Sequence, residues 1–213
     1  MSPPTALAMT TTPAPTAGVG ARSHEPSCES LARDAQNGSR AAYGALVTRY
    51  EHRLYSFLLR RVGNRDDAAE LAQETFVRAY TSLPRYDPER RFSTWLYTIA
   101  VRLAASHYRD RSRRPSLAED PEILPHTHNN SSIDSDVRED ASRVWTLARS
   151  LLSNEQQTAL WLRYVEGLAI PEIAHVMNRP AVWVRVALFR ARQRLAEALD
   201  PTASRIPSEE PTP

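Results

Sequence analysis

Lysine is absent from this chain of 213 residues, and cysteine occurs only once. Each scarcity excludes something. A lone thiol, Cys28, cannot close an internal disulfide, so no oxidising compartment is called for and a cytoplasmic address is expected. No stretch approaches the roughly eighteen apolar residues of a membrane span. The opening MSPPTALAMTTTPAPTAGVG lacks both a charged leader and a sustained apolar core, so neither secretion nor membrane insertion is expected. Glycine-rich phosphate loops and nucleophile–base arrangements are missing. Glu172 and His175 have the E-x-x-H spacing of a helical metal site, but the second copy that such a site needs is lacking. His126 and His128 are too few ligands for a closed site. The expectation is therefore a protein that is not an enzyme and uses no metal or cofactor.

Without lysine, arginine supplies the whole basic set: 27 residues against 25 Asp and Glu, a formal net charge of +2. A GC-rich genome is the simplest source of that bias. Its chemical result is still a set of planar, fork-donating cations suited to phosphates and base edges. The balance is uneven along the chain. Residues 40–114 hold fifteen Arg against eight Asp and Glu, a local excess that points to an anionic partner.

Pro, Thr, Ala and Gly dominate residues 1–24, and the end from Asp200 is similar, so residues 1–27 and 200–213 read as disordered tails, with Met9 a candidate start. Residues 114–140, rich in Pro, Ser, Asn and Asp, read as a flexible linker. Two globular domains remain, 28–113 and 141–199. No repeat of fixed period is visible.

Both domains pattern as helices, and the fold class is all-α. Tyr43, Leu46, Val47, Tyr50, Leu54, Phe57 and Leu58 follow one helical face behind a Ser39 cap. A second helix, about 66–83, is expected to bury Ala69, Ala72, Phe76, Tyr80 and Leu83 and to stop at Pro84. A third, capped by Ser93, carries Leu96, Ile99 and Leu103 inward. In the C-terminal domain, helices are expected near 141–152, 154–166, 169–178 and 180–199. Residues 169–190 have helix-turn-helix spacing, with Ala174 at the close approach, Asn178 at a left-handed turn, and Val184 and Leu188 inward.

Three surfaces carry chemistry. On the third helix Trp95, Arg102, Ser106, Arg109 and Arg113 fall on one side, with Arg90, Arg91 and Phe92 just before it; aromatic faces beside cations suit single-stranded nucleic acid, although a core tryptophan beside a solvated basic face has the same pattern. Asp67, Glu70, Gln73 and Glu74 make an acidic face on the second helix, which would repel DNA and suits a basic protein partner or plain solvent. The start of the last helix would enter a major groove.

Here a resemblance becomes specific. DDAAELAQETFVRAY followed by FSTWLYTIAVRLAASHYRDRSRRP resembles region 2 of the extracytoplasmic-function (ECF) sigma factors, bacterial RNA polymerase subunits of the sigma-70 type; LLSNEQQTALWLRYVEGLAIPEIAHVMN with FRARQRLAEAL resembles their region 4. The likeness covers about 29–113 and 141–199, in the right order. It implies that Asp67, Glu70, Leu71, Gln73 and Glu74 dock on the clamp helices of the polymerase beta-prime subunit. It implies that Arg90, Arg91, Phe92 and Trp95, with the loop 84–92, open the minus-ten element, while Arg102, Ser106, Arg109 and Arg113 grip the duplex there. Region 4 would contact the minus-thirty-five element through Arg179, Val182, Trp183, Arg185, Val186 and Arg190, and the partners would be core RNA polymerase, including its beta flap, promoter DNA and an anti-sigma factor.

The sequence departs from the family pattern in three places. Glu70 replaces a common aspartate. Arg102 and Ser106 stand where Asn and Asp are usual in the third helix. Val182-Trp183-Val184-Arg185-Val186-Ala187 replaces a segment resembling Gly-Thr-Val-Lys-Ser-Arg, leaving one cation and a second apolar stripe of Val182, Val186 and Phe189 that is either covered by a partner or rotated into the domain. A stand-alone helix-turn-helix regulator would leave the acidic and Trp–Arg helices without a role; a sigma-like interaction module with weakened minus-thirty-five reading would explain the apolar stripe.

Overall fold

The computed structural model describes residues 25–113 and 135–199, without the side chains of 112–113 and 135–142. Residues 1–24, 114–134 and 200–213, with Met9, His126 and His128 among them, lie outside the described residues. All regular structure among the described residues is helical. The first domain holds α1 (Cys28–Gln36), α2 (Arg40–Val62), α3 (Arg65–Ser82), a 3-10 turn (Leu83–Arg85) and α4 (Phe92–Arg113); the second holds α5 (Ser135–Leu151), α6 (Asn154–Tyr164), α7 (Ile170–Met177) and α8 (Ala181–Leu199).

Short polar residues set the helix starts. Ser27, Ser39 and Asn64 accept from backbone N–H groups of the first turns of α1, α2 and α3, and Ser153 with Gln156 forms a capping box on α6. Gly63, at φ 77°, ends α2 in the left-handed conformation that other residues disfavour.

Leu46, Leu54, Leu58, Phe92, Leu96 and Tyr97 are fully buried in the first domain; Leu162, Leu168, Ile173 and Val184 are fully buried in the second. Each such side chain contributes roughly 1.5–3 kcal/mol of burial. The expected face of α2 is the one that turns inward.

Elsewhere the structure corrects the expectations. Helix α1 was not anticipated, being a short segment without a wide apolar stripe. Helix α3 is phased differently: Ala68, Leu71, Ala72, Thr75 and Ala79 are buried, while Ala69 is exposed and Tyr80 stands at 46% exposure. Small side chains let α3 approach α2 and α4 closely, and the Thr75 hydroxyl is satisfied by donating to the Leu71 carbonyl at 2.6 Å. The larger Phe76 and Tyr80 sit at the margin, where Tyr80 meets the Tyr43 ring edge-on at 4.9 Å. Ser93 is no cap; it lies buried in the first turn of α4. Helix α5 begins at Ser135, inside the stretch expected to be linker.

The domains touch. Helix α4 packs on α7, and α2 on α6.

Candidate nucleic-acid interface

The start of α4 is held by an aromatic stack. Phe92 lies between Tyr50, Tyr86 and Trp95, with ring centroids 5.5, 5.7 and 5.7 Å away, and is completely buried. It therefore offers no face to a base, and its expected contact with DNA is corrected to a supporting role. Trp95 is only partly buried, stacked at 5.0 Å on Tyr86, so part of its indole remains accessible. Helix α1 fastens the preceding loop: the Gln36 amide donates to the carbonyls of Leu83 and Tyr86 at 2.9 and 2.7 Å, and the Glu29 carboxylate accepts from the Phe92 N–H at 3.2 Å. The Tyr86 hydroxyl donates to the Arg90 carbonyl; burial pushes its pKa well above the usual tyrosine range.

The cations of this surface differ in how they are held. Arg90 pairs with Asp87 at 3.4 Å. Arg91 donates to the Gly167 carbonyl at 2.8 Å and lies 3.8 Å from the Glu172 carboxylate, both in the second domain. Arg102 and Arg109 are exposed, and Arg109 donates to the partly buried Ser106 hydroxyl at 3.0 Å. The backbone of Arg113 closes α4.

On α3, Glu70 and Gln73 are exposed. Glu74 accepts from Arg78 one turn on at 2.6 Å. Asp67 is occupied within the molecule, accepting from Arg111 and lying 3.5 Å from His107, so it ties α3 to α4. Leu71, expected among the docking residues, is 6% exposed and belongs to the core, which corrects that assignment.

The helix-turn-helix is formed by α7 and α8. Asn178 has φ 51° and ψ 50°, the left-handed turn expected there, and its N–H and that of Arg179 reach back to α7 carbonyls. Glu172 accepts from the Ala169 N–H at 2.7 Å, which makes its E-x-x-H spacing part of a helix cap. On α8, Val184 and Leu188 are buried, whereas Val182, Val186 and Phe189 are exposed at 66, 42 and 60%. The second apolar stripe is thus on the surface, and rotation into the domain is ruled out. Arg185 and Arg190 flank it, exposed. Arg179 pairs with Glu155 and lies over the Trp183 ring at 5.3 Å.

Sequence reasoning missed a set of residues between the domains. Arg60 lies over the rings of Trp145 and Trp161 at 4.8 and 5.3 Å, and Arg61 donates to the Thr158 hydroxyl at 2.7 Å. Tyr97 and Arg53 meet Glu166. Burial lowers the Arg60 pKa to about 10 and lowers that of Arg61 as well. No local pattern signals contacts separated by about a hundred residues.

Two family profiles match: the one described as Sigma-70 region 2 over residues 46–114, and Sigma-70, region 4 over 148–195. The RNA polymerase sigma-H factor of Pseudomonas aeruginosa is 34% identical over 81% of this chain and 94% of its own length. The ECF RNA polymerase sigma-E factor of Haemophilus influenzae is 33% identical over 81% of this chain and 95% of its length. The chain belongs to the ECF group of sigma-70 factors. Among solved structures, CnrH in complex with the cytosolic domain of CnrY superposes with a TM-score of 0.57 at 25% identity, covering 82% of this chain and 97% of that one. This sigma factor binds core RNA polymerase and directs promoter-specific initiation of transcription. No described helix is long and apolar enough to cross a membrane.

Proposed function

We propose that Glu70, Gln73 and Glu74 on α3 form the polymerase dock of this sigma factor, with Asp67 positioning α4 beneath them. The α4 surface then opens and holds the minus-ten element: Trp95 stacks on an unpaired base, Arg90 and Arg91 steer the strand, and Arg102, Ser106, Arg109 and Arg113 follow the duplex backbone. The single observation that carries this reading is the partly exposed Trp95 ring, mounted on a buried aromatic stack directly in line with the exposed Arg102 and Arg109. A rigid ring beside cations loses little entropy on capturing a base. Phe92 and Leu71 act from below, as packing.

Region 4 takes the minus-thirty-five element by α8. Arg185 is the one side chain among Val182, Trp183, Arg185 and Val186 able to donate a fork to guanine, while Arg179 and Arg190 serve phosphates and Val182 and Val186 touch thymine methyls. The protein works in the cytoplasm without catalytic chemistry, as domains 28–113 and 141–199 with the linker between them. Its further partner is an anti-sigma factor, for which the exposed Val182, Val186 and Phe189 offer an apolar contact.

A second reading, a sigma-like interaction module with weakened minus-thirty-five recognition, is favoured by the exposure of Val182, Val186 and Phe189. Pull-down with core polymerase followed by run-off transcription tests both. Binding with initiation supports the first, binding without initiation supports the module, and duplex binding without polymerase association refutes both.

A further inference from the structure

Where α2 turns into α3 across Gly63, the C-terminal half of α4 and the start of α6 complete a groove of about 1220 Å³. Val62, Ala104 and Ala105 give it an apolar lining. Small-molecule sites enclose roughly 300–1,000 Å³, so a groove of this size admits a nucleotide together with its water.

The charge of the groove is one-sided. Arg61, Arg65, Arg109 and Arg111 line it against the carboxylates of Asp66 and Glu155. Arg111 is balanced by Asp67, and Glu155 by Arg179, which leaves three arginines facing the single Asp66 carboxylate. Arg61 is the most demanding of the three. It is half-buried, donates to the neutral Thr158 hydroxyl, and has no carboxylate within ion-pair distance among the described residues. A cation partly removed from water is stabilised by an anion brought to it. The positive ends of two helices add to this field, α3 at Arg65 and α6 at Asn154, although Asn64 and Ser153 already accept from some of the first-turn N–H groups. Tyr108 lines the same groove and is 73% exposed. An aromatic ring so placed beside cations offers a face to a base.

We propose that this groove binds a nucleoside polyphosphate, its phosphates among Arg61, Arg65 and Arg109 and its base stacked on Tyr108. The site is separate from Trp95 and from α8, and it shares only Arg109 with the surface assigned to the duplex. Its setting favours a free nucleotide over a nucleic-acid strand. The groove is recessed between walls from two domains, and Asp66 repels the further phosphates that a longer strand would carry past Arg65. A mononucleotide places its few phosphates on the arginines alone.

The test uses the full chain, with magnesium-free GTP as the probe and tripolyphosphate as the same anion without a base. Isothermal titration should show saturable binding of GTP, one per chain. Arg65→Gln should weaken both probes by on the order of tenfold, the value of a hydrogen bond to a charged group. Tyr108→Ala should weaken GTP by about fivefold or more, the low end for a lost stacking surface, and leave tripolyphosphate unchanged. Arg33→Gln removes an exposed cation of α1 outside the groove and should change neither. Arg65 and Tyr108 are both exposed, so the variants should fold, as thermal unfolding checks. Absence of saturable GTP binding overturns the site, and so does an equal loss in Arg33→Gln, which would mark diffuse attraction to arginine. GTP binding unchanged in Arg65→Gln or in Tyr108→Ala overturns the assignment as well. If a thymidine tetranucleotide binds more tightly than GTP and displaces it, the groove takes single-stranded DNA and the proposal falls. Polymerase enters none of these measurements, so their outcome is independent of the sigma reading.

Discussion

Reversing charge at Glu70 and Glu74 separates docking from folding. Glu70 is exposed, and among the described residues Glu74 pairs with Arg78, with side chains 42 and 59% exposed. An exposed ion pair one helical turn apart contributes about 0.3–0.5 kcal/mol, and arginine is as good a helix former as glutamate. The double variant Glu70→Arg/Glu74→Arg should therefore lose less than about 1 kcal/mol of stability and keep its helical circular dichroism. At an interface the arithmetic differs, because losing one partner of a desolvated, hydrogen-bonded charge pair costs roughly 2–5 kcal/mol. Even the lower figure corresponds to about a thirtyfold weaker complex, since 1.4 kcal/mol is a factor of ten. A fluorescence titration against core polymerase reads this directly. Leu71→Ala is the control with the opposite signature: its side chain is core, so the cost of about 2–5 kcal/mol falls on stability and lowers the melting temperature. If the double reversal binds with wild-type affinity while remaining folded, the docking assignment is wrong.

Three further outcomes follow from the same geometry. Trp95→Ala should weaken promoter opening, by roughly 1–3 kcal/mol for a lost stacking surface, whereas Trp95→Phe should retain most of it; permanganate footprinting of the minus-ten strand distinguishes them, and normal opening by Trp95→Ala removes the assignment. Asn178→Val should destabilise the second domain by about 1–2 kcal/mol because a β-branched side chain resists the left-handed turn, while Asn178→Gly should be nearly neutral, as thermal unfolding would show. The pair Val186→Ser and Phe189→Ser should cost at most about 2 kcal/mol, given that both side chains are only partly buried; outright unfolding would contradict the exposed stripe.

What was legible in the sequence divides along physical lines. Apolar periodicity located α2 and the helices of region 4, and Asn178 announced its turn because few residues tolerate that conformation. Helix α3 was misphased because alanines and a threonine make its buried face, and such small groups add little to a periodic pattern. Phe92 and Leu71 were taken for contact residues because a position in a motif says nothing about depth; both are buried where neighbouring helices converge. The docked arrangement of the two domains was invisible, since Arg53, Arg60 and Arg61 look like solvated cations on the outside of one helix until Trp145, Thr158 and Glu166 are brought to them.

That last point changes how the charge of the first domain should be read. The excess of arginine over residues 40–114 suggests an anionic partner, but much of it is engaged internally. Arg49 donates to the Pro26 carbonyl at 2.8 Å, Arg53 faces Glu166, Arg60 lies over two tryptophans, Arg61 holds Thr158, and Arg111 is tied to Asp67. The remaining cations, Arg102 and Arg109 on α4 with Arg179 and Arg190 in region 4, should dominate contact with the duplex. Each phosphate neutralised contributes about 0.9 to the log–log salt slope, so these four cations give duplex binding a slope of roughly 3.6. Filter binding across a salt series measures it. A wild-type slope near six would mean that the interior arginines already serve DNA and that the closed arrangement does not persist in its presence.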